Sequence, residues 1–205
     1  MWSCRISGKT NYYEMEGAVL SNQLVDQFTE KAINVGAEVI SVTSVAAAAE
    51  YIAGKIEGSL LVPTFTSAGR FKLKAALKKA GISIEVNQFR AVAAQAEAGI
   101  TGVNFAIADT GTLVLESTAE DIRLATTLPP KQFALLDPEK IVADGLEAVK
   151  PLRQMHQRDS RNYIAYVTGP SRTADIERVL TIGVHGPKEL FILLVPGMSS
   201  DFLEM

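Results

Sequence analysis

TGVNFAIADTGTLVLES, residues 101–117, holds two apolar runs separated only by Asp109, Thr110 and Gly111. Three residues are too few to insert a helix, so the runs at 101–108 and 112–116 are expected to pair antiparallel across a tight turn. The chain before them has a different rhythm. Residues 19–35 are amphipathic at helical spacing, 38–42 form a short β-branched run, and 45–55 read as an Ala-rich helix that Ser44 is placed to cap. A strand at 59–62 stopped by Pro63, a helix at 68–80, a strand at 82–86 and a helix at 89–98 follow, the two helices ending before Gly81 and Gly99. Strand and helix in alternation imply crossover connections and a largely parallel sheet covered by helices. The fold class read from these patterns is α/β, with a mixed, mostly parallel sheet that carries an antiparallel hairpin.

Downstream of the hairpin come a short helix near 119–125 and a strand over 131–136. Residues 138–155 carry Ile141, Val142, Leu146, Val149 and Leu152 at helical spacing, with Pro138 suited to a first turn, and predict one helix. Strands at 163–167 and 190–195 then flank a second motif built from GPSRTADIE and GVHGPKEL. No internal repeat and no linker rich in Pro, Gly or Ser divides the chain, so one domain is expected.

With 47% hydrophobic and 21% charged residues, the 205-residue chain has the composition of a globular protein. A net charge of −3 leaves no electrostatic footprint for nucleic acid or an anionic membrane. The four lysines of residues 72–79 alternate with Leu73, Ala75, Ala76 and Leu77, the pattern of a solvated helix face. No run approaches the ~20 apolar residues of a membrane span, and the first residues lack the apolar core of a signal peptide, so no membrane insertion and a cytoplasmic location are expected. Cys4 is the single cysteine, which excludes an intrachain disulfide and a thiolate set for an iron–sulfur cluster. His156 and His185 have no partner at ligand spacing, so neither a metal site nor a cofactor is expected. The absence of a GxGxxG fingerprint argues against a nucleotide-dependent dehydrogenase.

The polar residues of the two motifs are the candidates for chemistry. In the hairpin turn, Gly111 supplies an unusual backbone angle and Thr110 and Thr112 supply hydroxyls. Asp109 is either a general base or the acceptor of a local turn, and Glu116 either a nucleophile or a solvated strand end. In the second motif, Gly169, Ser171 and Arg172 precede Thr173, read as the N-cap of a helix bearing Asp175 and Glu177. Free N–H groups, a hydroxyl and a guanidinium can converge there on an anion, or Arg172 can pair locally with Asp175. His185, between Gly183 and Gly186, is either a general acid or base or a loop histidine bonded to backbone. Arg123 either faces the same cleft or pairs with Glu120. Since ligand crevices of open α/β sheets lie at the carboxyl ends of the strands, both loops are expected to meet there.

FAIADTGTLVLES, IRLATTLPP and VTGPSRTADIERVLTIGVHGPKELFILLV closely resemble the LUD-domain family, in its lactate utilization protein C branch. The resemblance implies a fold like the NagB/RpiA/CoA-transferase superfamily, a three-layer α/β sandwich, with a single LUD domain over residues 18–205 and an atypical or poorly ordered segment over 1–17. It implies a role in L-lactate utilization beside iron–sulfur partner proteins that oxidise lactate to pyruvate, this chain being a cluster-free accessory component that binds a small carboxylate or other anion, or a partner protein. The superfamily also contains isomerases, CoA transferases and a folate cyclo-ligase. The alternative is therefore an enzyme acting on an anionic substrate, CoA-transferase-like with Glu116 as nucleophile or sugar-phosphate-isomerase-like with an Asp or Glu base. A scaffold whose loops only dock partners is a third class. Two positions depart from the family pattern: Asp109 stands where a glutamate is expected, and Phe133 where a histidine is expected.

Overall fold

The computed structural model describes residues 12–158, 161–173 and 181–205. Helix α1 (Tyr12–Asn34) leads into strand β1 (Glu38–Ser41), and helix α2 (Val45–Ala53) starts at Ser44, whose side chain accepts the Ala47 N–H at 3.2 Å. This is the cap expected from the sequence. Strand β2 (Leu60–Leu61), helices α3 (Thr66–Arg70) and α4 (Leu73–Lys79), strand β3 (Ile84–Glu85) and helix α5 (Phe89–Val92) complete the alternating half. The continuation is β4 (Ala98–Gly102), β5 (Phe105–Ile107), β6 (Thr112–Glu116), α6 (Glu120–Thr127), β7 (Lys131–Leu136), β8 (Ile141–Val142), α7 (Gly145–Arg158), β9 (Ile164–Val167), β10 (Arg172–Thr173), β11 (Thr181–Ile182) and β12 (Glu189–Leu194).

The central sheet has the order β1-β12-β7-β4-β2-β3, with every pairing parallel. Successive side chains of its middle strands point to opposite faces. Phe133, Leu135, Phe191 and Leu193 face α2 and α4, where Ile52, Leu73 and Leu77 are fully buried. Ala134, Leu136, Ile192 and Leu194 face Phe28 and Ala32 of α1 and the inner residues of a second sheet, Ala106, Leu113 and Leu115. Helices α5 and α6 pack Phe89, Ala93 and Ala125 on Leu61 of β2. The second sheet has the order β8-β5-β6-β9, and α7 covers its outer face through Ala148 and Met155 on Phe105, Ile107 and Val114. The α/β class with a mostly parallel central sheet and an antiparallel hairpin is the one read from sequence.

The hairpin itself, β5 with β6, belongs to the second sheet. The run at 101–108 is two strands in two sheets, with the break at Val103 and Asn104. Asn104 redirects the chain: its N–H donates to the Val114 carbonyl at 3.0 Å and its Oδ1 accepts the Glu116 N–H at 2.7 Å. Three helices also differ from expectation. The segment 68–80 divides at Lys72, which takes a left-handed φ of 52°, and the helix at 89–98 stops at Val92, with Ala98 opening β4. The stretch 138–155 begins as a 3-10 turn, Pro138–Lys140, with Asp137 accepting the Glu139 N–H at 3.1 Å. Ile141 and Val142 then pair with β5 as strand β8, and the helix starts only at Gly145. Leu146 and Val149, counted toward the helical stripe, are 83% and 48% exposed. Residues 12–17 are the start of α1, and residues 1–11 lie outside the described residues.

An ion pair ties the amino end of the sheet together. The Glu97 carboxylate accepts Lys131 Nζ at 2.8 Å and the N–H groups of Glu57 at 2.8 Å and Gly58 at 2.5 Å. Lys131, aided by the two N–H groups, holds the Glu97 carboxyl below the usual carboxylate range. A carboxylate whose folded pKa is depressed adds stability above its unfolded pKa and loses it as pH falls through the folded one. Glu97→Gln is expected to cost about 1 kcal/mol at neutral pH and less at acid pH, as pH falls toward the depressed folded pKa of Glu97. Urea unfolding of both proteins at pH 7 and pH 3 checks this; equal losses at the two values would contradict it.

Candidate functional site

The two halves of the second motif are joined by main-chain hydrogen bonds. The Ser171 N–H donates to the Pro187 carbonyl at 2.9 Å, and the Gly183 N–H to the Ser171 carbonyl at 2.9 Å. Gly186 packs on Ser171 so closely that a Cβ there would lie 2.9 Å from the Ser171 Cβ. Together with β9 and the end of α6 they form a cleft of about 380 Å³, lined by Gln132, Tyr166, Thr168, Ser171 and His185 among others, with no acidic side chain among the described residues. The first motif reaches its rim: Thr112 Oγ1 donates to Thr110 Oγ1 at 2.8 Å and lies 2.9 Å from Thr168 Oγ1. Gln132 is 1% exposed, and its Nε2 has no hydrogen-bond partner among the described residues. Such a group costs about 1–3 kcal/mol when left unpaired, so a carbonyl or carboxylate oxygen is the natural complement.

The location corrects the expectation of carboxyl ends. Gln132 and Leu190 are the second residues of β7 and β12, so the cleft opens at the amino ends of the parallel strands. Both loops were brought there by α1. Gly111, with φ +65°, lies against Ala32, and Gly169, with φ +75°, against the Val35 carbonyl, so near that a Cβ would stand 2.4 and 2.3 Å from backbone atoms. Arg172 donates through Nη2 to the Val35 carbonyl, satisfying an oxygen just past the end of α1. This is the favourable place for a cation beside a helix C-terminus. Thr173 pairs with Thr181 in a short antiparallel ladder; the helix it is expected to cap, carrying Asp175 and Glu177, lies outside the described residues. Arg172→Ala is expected to cost about 1 kcal/mol of stability, the range of a partly exposed charge-assisted bond, while leaving ligand affinity within about twofold. Thermal unfolding and a ligand titration of the variant separate the two effects.

Other candidates fall elsewhere. Asp109 is exposed, with no side-chain hydrogen bond among the described residues. Arg123 donates to the carbonyls of Ser117 at 2.7 Å and Thr118 at 2.6 Å and stacks 5.5 Å over the Tyr163 ring, while Glu120 pairs with Arg90. Glu116 ends β6, about 13 Å along the strand from Thr112. It lines a separate cleft of about 230 Å³ with Thr64, Thr66, Asn104 and Arg158, and one of its oxygens accepts the Thr118 N–H at 2.8 Å. Glu116 and His185 therefore do not share a site. Phe133 is fully buried and stacked on Phe191 at 4.8 Å, within the core.

Two functional candidates escaped the sequence reading. Gln132 is a polar residue inside an otherwise apolar strand, a signal that was present in KQFALL. Lys140, hidden in what read as a helix, is 2% exposed. Burial pushes its ammonium down to about 8, against the opposing pull of the Glu204, Asp137 and Asp201 carboxylates. Among the described residues no group of His, Cys, Asp and Glu is arranged to hold a metal ion, and no helix is long and apolar enough to cross a membrane.

Comparisons with known proteins place this geometry in a family. An uncharacterized protein from Neisseria meningitidis, NMB1437, is 37% identical over 99 residues, 48% of this chain and 42% of that protein. Lactate utilization protein C of Bacillus subtilis is 37% identical over 105 residues, covering 50% of this chain and 44% of its own length, and that of Oceanobacillus iheyensis is 30% identical over 106 residues, covering 51% and 46%. The matches thus span less than half the length of these relatives. The crystal structure of a DUF162 family protein from Deinococcus radiodurans superposes with a TM-score of 0.63 at 21% identity, over 85% of this chain and 98% of that one, and shares the fold. Residues 25–195, which include both sheets and the amino-end cleft, match the LUD domain, and the chain belongs to the LUD domain family.

Proposed function

We propose that this chain serves in lactate utilization as an accessory component without redox clusters of its own, and that its amino-end cleft binds a small carboxylate. The lactate role is supported by the name shared by relatives across half of this chain. The ligand class rests on one observation above the others: among the described residues, the buried Nε2 of Gln132 has no partner, and the cleft that Gln132 lines with Ser171 and His185 has no carboxylate to repel an anion. The partners in this reading are iron–sulfur proteins that carry the electrons from lactate, because the single Cys4 cannot hold a cluster. The domain acts as one unit over residues 18–205.

Calorimetric titration of the purified chain with L-lactate and with pyruvate tests the ligand. Binding of one of them is expected, and Gln132→Leu should weaken it by about tenfold, the value of one hydrogen bond to a charged group, while raising the melting temperature by removing an unpaired amide. Absence of binding by either acid, together with normal growth on lactate of a strain lacking the protein, would overturn the proposal.

An enzyme of the CoA-transferase type is the second reading, favoured by Glu116 in its own cleft at the carboxyl ends of β2 and β4. Glu116→Gln separates the two: it should leave carboxylate binding at Gln132 unchanged and abolish any acyl transfer.

A further inference from the structure

The carboxyl ends of the parallel strands, where open α/β sheets hold their ligands, are covered in this chain by residues 196–205. Donors from several elements converge on that segment. Arg70 of α3 places Nη2 2.6 and 2.7 Å from the two carboxylate oxygens of Glu204, and Nη1 3.2 Å from the Met198 carbonyl. Lys140 Nζ lies 2.5 Å from the Glu204 main-chain oxygen. Asn104 Nδ2 donates to Phe202 O at 3.2 Å, Arg158 Nη1 to Leu203 O at 3.0 Å and the Ser67 N–H to Met205 O at 2.9 Å. Every acceptor is an oxygen of the covering segment.

Glu204 sits in this recess as a ligand would. Both oxygens of its carboxylate lie on one guanidinium nitrogen, Arg70 Nη2, as a charge-assisted contact, and its carbonyl oxygen is held by the buried Lys140. Burying an ammonium is costly unless an oxygen partner meets it, and here the partners are Glu204 and, at 3.5 Å, Val103. We propose that this recess binds an oxo-monocarboxylate, with its carboxylate on Arg70 and its carbonyl oxygen on Lys140, and that Glu204 occupies the place in the absence of that ligand.

The charges favour a monoanion. The ligand replaces the single negative charge that Glu204 places on Arg70; of the other carboxylates around the recess, Asp137 is buried, and Glu139 and Asp201 are exposed to solvent. The glutamate skeleton sets the separation of carboxylate and carbonyl, which is that of a 5-oxo acid. The recess lies at the opposite end of the sheet from the Gln132 cleft and stands independently of the reading given for that cleft.

Reductive trapping on the full chain tests the proposal, with 5-oxohexanoate as probe and cyanoborohydride as reductant near pH 8. The neutral amine attacks the carbonyl carbon, water leaves, and hydride from the reagent reduces the imine to a secondary amine on the lysine, which peptide mass mapping locates. Lys140 is expected to be modified ahead of the surface lysines. Glu204→Gln, which frees Arg70, should raise its modification by about tenfold and Arg70→Met should lower it by about tenfold. The neutral ketone 2-hexanone, lacking the carboxylate, should modify it far less. Circular dichroism and thermal unfolding establish that each variant is folded; if Glu204→Gln is not, the contrast between 5-oxohexanoate and 2-hexanone on the unaltered chain decides. Lys140 unmodified in both the unaltered chain and folded Glu204→Gln, or modified equally by the acid and the ketone, would overturn the proposal.

Discussion

Phe133→Ala is expected to lower the free energy of unfolding by about 3–5 kcal/mol, the range for removing a fully buried aromatic side chain. Phe133 occupies the middle of the central sheet, between Phe191 on β12 and Ile100 on β4, and its ring stacks on Phe191 at 4.8 Å with 17° between planes. Neither neighbour can collapse into the space, because both are held by parallel ladders on either side. The loss therefore includes the residual cavity as well as the transfer of the ring to water. Phe133→Leu, which fills most of the volume, should recover more than half of it. Equilibrium unfolding in urea reads both values. A loss below about 1 kcal/mol for the alanine variant would place Phe133 outside the core.

Gly111→Ala is expected to cost about 2–4 kcal/mol, by two separable effects. A φ of +65° is unfavourable for any residue with a Cβ, and the added methyl would stand 2.4 Å from Ala32 N and 2.7 Å from Lys31 C in α1. The contact is with helix backbone, which cannot rotate aside as a side chain would, so the hairpin must lift from α1. Thr112 and Thr168 move with it, and the amino-end cleft widens. The variant should show both a lowered melting temperature and weaker carboxylate binding, whereas Thr110→Ala, at an exposed neighbour, should change stability by less than about 0.5 kcal/mol. Equal effects of the two substitutions would mean that the turn is not clamped by the helix.

Much of the candidate site was visible as residue types and hidden as geometry. Ser171, His185, Gly169 and Gly186 stand out in the sequence as polar groups concentrated in constrained loops, and they line one cleft. The charge of Arg172 marks it as an anion-binding candidate in the sequence, and in the fold its guanidinium meets the carbonyl of Val35, a residue far away in sequence. Glu116 and Thr112 share a strand and were read together, yet a strand separates its two ends into different clefts. Gln132 is not legible as a site residue in the sequence, because one polar residue in an apolar run still reads as a strand; its lack of a partner among the described residues makes it informative.

The sequence by itself determined the local elements and their class. The Ser44 cap, the continuous apolar runs of β7 and β12, the helix–strand rhythm of the first half and the tight turn at Gly111 all follow from interactions between residues a few positions apart. What only the tertiary structure decided was pairing over long range: that the hairpin joins a second sheet, that residues 141–142 leave a helical pattern to pair with β5, that α1 clamps both glycine turns, and that Lys140 is buried under Glu204. Each of these is set by which distant surface completes a hydrogen-bond ladder or covers an apolar face, and residue spacing along one segment carries no information about the segment that will meet it.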